Sequence, residues 1–296
     1  MFPIWVGLEI NLLSFIGILT LTKPGRVDRR TFKYFVRQAL GSIIMIISFL
    51  LMARLIPVTV GIVLFRRRVI IKLGLFPFHP WFISFTAASS LKEVWAVSVP
   101  QKILPFWFCL RVPLNYHLIL GSAILGIFTS MLGGLKSARL TLILGYSSLL
   151  NTRWFILFIL DLSLFAFVFA LYGISLGLVV SRWDRRDNSS LFSQLAARQT
   201  WLRMLTLVVR FLNLGGLPPF INMWNKFLIL LELFLGGSLV ILGLFVISSG
   251  VFLYIYLSVR FWESSLCRGR KLNWTTTSGP IHVIILLAGS LMLFYF

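Results

Sequence analysis

The fold expected from this sequence is an all-α polytopic membrane protein of about ten transmembrane helices, two of them broken, arranged as two inverted five-helix repeats. Three observations carry that expectation. Hydrophobic residues make up 58% of the 296-residue chain and charged residues only 12%, against roughly 25% charged in soluble domains, so no polar surface could cover such a core. Apolar runs of about 20 residues, the length a bilayer demands, recur from end to end. Proline and glycine interrupt two of those runs, at places five helices apart.

With the bilayer as ruler, spans fall near 2–22, 34–54, 58–84, 91–111, 115–134, 138–158, 161–181, 202–232, 237–258 and 279–296. The first is read as a spanning helix and not a cleavable signal, because Lys23 and Arg26 follow the apolar run instead of preceding it. The third holds Pro77 and Pro80, and the eighth holds Gly215, Gly216, Pro218 and Pro219. Proline lacks an amide donor and clashes with the preceding turn, so both helices should break inside the membrane. Matched breaks in two halves are the mark of an inverted-repeat transporter. Ordinary kinks paired by chance account for them equally well. The expected organisation is a single membrane domain over 1–296, with half-repeats at about 1–111 and 115–258 and a C-terminal helix at 279–296.

The charge is lopsided, with 28 Lys and Arg against 8 Asp and Glu and a net +20. In a soluble protein that balance would suggest nucleic acid. Here the basic residues mostly lie between apolar runs, so phospholipid head groups are the expected partner and nucleic acid is not. An even number of spans puts Lys23, Arg26, Lys136, Arg139, Arg185, Arg186, Arg268, Arg270 and most other loop cations on one side. Arg54, Arg66, Arg67, Arg68 and Arg111 fall on the other, the asymmetry of a positive-inside protein. Arg66–Arg68 leave two readings open: the third helix starts near Val69, or the arginines line a wet cavity. Cys109 and Cys267 have no CxxC spacing, so neither a disulfide framework nor a metal cluster is expected.

A charge at the centre of a membrane helix costs roughly 2.5–3.5 kcal/mol, so interior ionisable residues should be few and functional. The candidates are Glu9, Lys72, Lys102, Arg153, Asp161, Arg210, Lys226 and Glu232. Lysine is the informative type: desolvation favours its neutral form and a nearby carboxylate favours the charged one, whereas arginine stays protonated. Glu9, Lys72, Lys102 and Lys226 therefore read as a proton relay, with snorkelling to the interface as the rival account of Lys72 and Lys226. His79, at the first break, either passes protons or bonds freed carbonyls. Glu232, six residues past Lys226 and off its face, serves either a subunit contact or the relay. Asp161 reads as a helix start, and His117 and His282 as interfacial.

Five stretches carry a resemblance: Trp5-Val-Gly-Leu-Glu-Ile-Asn11, Lys72-Leu-Gly-Leu-Phe-Pro-Phe-His-Pro-Trp81, Gln101-Lys-Ile-Leu-Pro105, Gly145-Tyr-Ser-Ser148, and Leu214-Gly-Gly-Leu-Pro-Pro219 with Lys226 beyond it. In order and spacing they resemble the chain 2 family of NADH–ubiquinone oxidoreductase (respiratory complex I), the mitochondrially encoded antiporter-like subunits. The resemblance runs from Trp5 to about Glu232. It implies a Glu9–Lys72 pair perturbed by quinone reduction elsewhere in the complex, with protons moving along Lys72, Lys102 and Lys226. It also implies the mitochondrial inner membrane, basic loops toward the matrix, and partners among the other membrane-arm subunits and phospholipids such as cardiolipin. No cofactor is expected in this chain: FMN and iron–sulfur clusters would reside in other subunits, and no phosphate loop, cysteine set or histidine pair offers a site here.

The chain departs from the family pattern in three places. Relatives usually carry at least one helix before the first motif, which implies a shortened lineage with other subunits or lipid in its place. Leu142 stands where a basic residue usually precedes the Tyr-Ser-Ser segment, and Phe82-Ile-Ser-Phe85 lacks the usual acidic residue. Rival functions are a subunit of a multi-subunit cation/proton antiporter, and a structural subunit that does not pump.

Overall fold

The computed structural model describes residues 2–22, 29–53, 70–111, 116–137, 139–157, 162–182, 209–217, 220 and 222–267. Among these the regular elements are all helices: α1 (Phe2–Thr22), α2 (Arg29–Ala53), α3 (Pro80–Thr86), α4 (Leu91–Ser98), α5 (Pro100–Arg111), α6 (Tyr116–Lys136), α7 (Leu140–Leu157), α8 (Leu162–Arg182), α9 (Asn222–Leu235) and α10 (Leu239–Cys267). The start of the expected third span with Arg66–Arg68, residues Asp161, Pro218 and Pro219, and the expected helix at 279–296 lie outside the described residues. Leu164–Ser181 and Leu239–Ser258 are long and apolar enough to cross a membrane, and Trp5–Leu21 and Leu120–Lys136 are shorter apolar helices. The chain groups into two compact units, Met1–Ser130 with Leu144–Phe165, and Met131–Ile143 with Ala166–Phe296.

In the first unit, α1 buries Leu8, Leu12, Phe15 and Leu19, a stripe at helical spacing. Leu12, Phe15 and Leu19 pack on Tyr34, Trp81, Phe82, Phe85, Val97 and Leu149. Its other side exposes Ile10, Leu13, Ile18 and Leu21. A helix apolar all round suits lipid or a neighbouring chain on its outer face. Tyr34 anchors the cluster, its ring centroid 5.4 Å from Phe15, 5.3 Å from Phe85 and 5.8 Å from Trp81. Such aromatic pairs are worth about 0.5–1.5 kcal/mol each beyond the area they bury.

Both expected breaks are present, and the helix ends that open them are alike. At the first, the helical turn ends at Gly74, whose φ is 69°; Leu75 N–H donates to Ile70 O at 3.0 Å and Gly74 N–H to Ile71 O at 3.2 Å. At the second, Gly216 has φ 66°; Leu217 N–H donates to Leu212 O at 3.3 Å and Gly216 N–H to Asn213 O at 2.9 Å. This pair of bonds around a left-handed glycine satisfies carbonyls that a helix end leaves bare. A turn follows in each case, from Phe78 N–H to Leu75 O and from Phe220 N–H to Leu217 O. Gly74-Leu75 and Gly216-Leu217 therefore end a helix in the same way.

Two expected spans need correction. The span at 91–111 is not continuous: α4 ends at Ser98 and α5 begins at Pro100. Pro100 has no amide to extend α4 and its ring suits the first turn of a new helix. The span at 237–258 runs on as α10 to Cys267. The start of α4 carries its own signal, a reciprocal cap in which Ser90 Oγ accepts from Glu93 N–H at 3.4 Å and Glu93 Oε2 from Ser90 N–H at 2.9 Å. Ser90→Ala is expected to cost the local helix about 1 kcal/mol, read as faster amide hydrogen exchange at Leu91–Val94.

Candidate functional site

In the first unit, α1, α2, α5 and the first break enclose a cavity lined by Leu8, Asn11, Leu12, Tyr34, Gln38, Lys72, Trp81, Val97, Gln101, Lys102 and Pro105. It brings Lys72 and Lys102 to one space with room for a water molecule. Lys72 is buried and comes off the helical turn just before Gly74, and its stem passes so near α2 that a Cβ on Gly41 would lie 3.7 Å from its Cγ. The polar wall is itself bonded: Gln101 Nε2 donates to Asn11 Oδ1 at 3.1 Å, and Tyr34 O–H donates to Gln101 Oε1 at 3.4 Å. Trp81 Nε1 donates to Ile71 O at 3.1 Å, tying α3 back across the break.

Lys102 is 3% exposed. Its Nζ donates to Thr152 Oγ1 at 2.6 Å, Ser148 Oγ at 3.4 Å and Ser148 O at 3.5 Å, all on α7, and lies 4.6 Å from the Phe82 ring centroid. None of these described partners is a carboxylate. Hydroxyls both accept and donate, so the site suits an ammonium and a neutral amine alike.

Glu9 sits on α1 but is not among the cavity's walls; its Oε1 is buried with no hydrogen-bond partner among the described residues. His79 stacks on Phe76 with centroids 5.8 Å apart, and its Nδ1 has no hydrogen-bond partner among the described residues.

In the second unit, Lys226 reaches back from α9 to donate to Gly215 O, next to the left-handed Gly216. The carbonyl end of a half-helix carries partial negative charge, which favours a cation there. Asn222 extends the arrangement, donating through Nδ2 to Leu214 O at 3.0 Å while its backbone N–H donates to Asn213 Oδ1 at 3.2 Å. Asn225 Nδ2 donates to Asn222 Oδ1 at 3.1 Å. Glu232 is exposed on α9. Arg210 donates to Leu178 O and, at 3.5 Å, to Ser181 Oγ near the end of α8, a structural use of an interior cation.

Sequence reasoning ranked the ionisable groups and passed over their neutral partners. Thr152, Tyr34, Gln38, Asn213, Asn222 and Asn225 carry no motif of their own; polar residues recurring within otherwise apolar helices were the available signal.

Curated proteins named NADH-ubiquinone oxidoreductase chain 2 are similar along most of their length: that of Hylobates lar is 28% identical over 277 residues, 89% of this chain and 79% of its own. That of Locusta migratoria is 25% identical over 304 residues, 96% of this chain and 87% of its own. Among solved structures, a chain of respiratory complex I from Thermus thermophilus with bound aureothin shares the fold with a TM-score of 0.76 at 22% identity, covering 98% of this chain and 71% of that one. A chain of the Mrp complex from Dietzia sp. DQ12-45-1b does so with a TM-score of 0.73 at 16% identity, covering 88% and 56%. The model of the family described as NADH:quinone oxidoreductase/Mrp antiporter, TM, matches residues 1–252, and the chain belongs to that family.

Proposed function

We propose that this chain is a proton-translocating membrane-arm subunit of an NADH:ubiquinone oxidoreductase, multi-pass in the mitochondrial inner membrane with its basic loops toward the matrix. Quinone reduction elsewhere in the complex perturbs a Glu9–Lys72 pair and protons pass along Lys72, Lys102 and Lys226; His79 and Glu232 are accessory. Two inverted five-helix repeats are the architecture that goes with this reading, supported by the two helix ends that close alike. The observation that carries it is the polar cavity shared by two buried lysines in a protein with few interior charges. Burying two ammonium groups beside one space is costly unless at least one gives up its proton, and proton transfer is then the natural use.

The test is NADH-driven proton uptake by membrane vesicles that hold the assembled complex. Lys72→Gln is expected to lower uptake at least about tenfold, in the range typical of lost acid–base groups, while the complex still assembles. Unchanged uptake in assembled Lys72→Gln would remove the reading.

The likeness to the Mrp chain favours a second reading, a subunit of a cation/proton antiporter. Sodium-for-proton exchange by the same vesicles without NADH would support it.

A further inference from the structure

Hydroxyls within the helices of this chain commonly spend their proton on a carbonyl one turn back. Ser42, Ser48, Ser84, Thr129, Ser175 and Ser248 each donate to the carbonyl three residues earlier. A helical hydroxyl does this when nothing else claims its proton. The two hydroxyls that hold Lys102 divide on the point. Thr152 Oγ1 donates to Ser148 O at 2.5 Å, so toward Lys102 it offers only a lone pair. Ser148 Oγ makes no such bond: among the described residues its partner is Lys102 Nζ, at 3.4 Å. Ser148 is 0% exposed, which leaves bulk water no part in satisfying it.

The difference matters because a lysine that carries protons must be held in two forms. The ammonium has three protons to donate, and Thr152 Oγ1, Ser148 Oγ and Ser148 O accept them. The neutral amine has two protons and a lone pair, and that lone pair needs a donor. Thr152 can supply one only by abandoning Ser148 O, whereas the Ser148 proton is uncommitted. A buried acceptor left without a donor is costly, so the donor decides how well the neutral form is held.

We propose that Ser148 is the hydroxyl that follows the charge of Lys102, accepting from its ammonium and turning its O–H toward the amine once the proton has left along the relay. This rests on the proton-relay reading. Ser148 transfers no proton itself; it changes from acceptor to donor by rotation about its Cβ–Oγ bond. Thr152, the nearer partner, is a fixed acceptor. The two hydroxyls should therefore rank for transport in the order opposite to their distances from Lys102.

The experiment measures proton uptake per NADH oxidised in vesicles holding the assembled complex, for the wild type, S148A, S148T, T152V and K102Q. S148A is expected to lower uptake about fivefold, the effect of one hydrogen bond withheld from the neutral amine. S148T keeps a hydroxyl and is expected to recover most of that loss. T152V removes the nearer acceptor but no available donor, so its loss is expected to be only about twofold. A loss in T152V equal to or larger than that in S148A overturns the proposal, as does S148T uptake no better than that of S148A. Should S148A fail to assemble, S148C against S148T decides: a thiol is a weak donor, and equal uptake in the two overturns the proposal. Wild-type uptake in S148A with uptake lost in K102Q rejects the role of Ser148 alone, whereas full uptake in K102Q rejects the relay itself.

Discussion

Lys102→Gln is expected to lower NADH-driven proton uptake by the assembled complex at least about tenfold, without lowering its thermal stability. The two halves of that expectation have one cause. Lys102 is 3% exposed and bonded to hydroxyls and a carbonyl of α7, with no carboxylate among those partners. A lysine kept for structure would stabilise the fold, and its loss would cost stability. A buried lysine with no carboxylate among its described partners does the reverse, since a charge at that depth costs roughly 2.5–3.5 kcal/mol that a neutral amide does not incur. Glutamine retains a donor for Thr152 and Ser148 but has no proton to release at physiological pH. Uptake and melting temperature, measured on the same preparation, separate the cases: a lower melting temperature with uptake intact would make Lys102 structural.

Gly216→Ala carries the other large effect, and Gly237 supplies its control. Both glycines have φ 66°, a left-handed conformation that costs other residues about 1–2 kcal/mol. At Gly237 a Cβ would meet nothing within 4 Å. At Gly216 it would stand 2.7 Å from Lys226 Cδ, 2.8 Å from Cε and 3.2 Å from the Asn222 carbonyl. Gly237→Ala therefore carries backbone strain only, whereas Gly216→Ala carries the strain and also pushes Lys226 away from the Gly215 carbonyl. The expected result is a comparable small drop in melting temperature for both, with proton uptake lost severalfold in Gly216→Ala alone. Equal uptake in the two variants would mean that the seat of Lys226 against the broken helix does not matter.

How much of this was legible beforehand depended on the kind of signal. Helix class and both breaks were readable, because long apolar runs and Gly-Leu-x-Pro segments act locally, through bilayer length and the missing proline amide. The break at Pro100 was passed over because an apolar run of helical length surrounds it, and hydropathy does not register one missing donor. Lys72, Lys102 and Lys226 stood out as charges among hydrophobes. Their partners did not, since Ser148 and Thr152 on α7 meet Lys102 from 46 and 50 residues away.

By itself the sequence determined that the chain is helical, apolar and strongly basic, where its helices break, and which ionisable groups its apolar runs enclose. Only the tertiary structure decided that Lys72 and Lys102 share a cavity, that Lys102 is seated on hydroxyls of α7, and that Arg153 lies across Gly126. The physical reason is range. Length, hydropathy and missing donors act on the segment that carries them, whereas a buried charge takes its character from side chains that folding brings in from other helices.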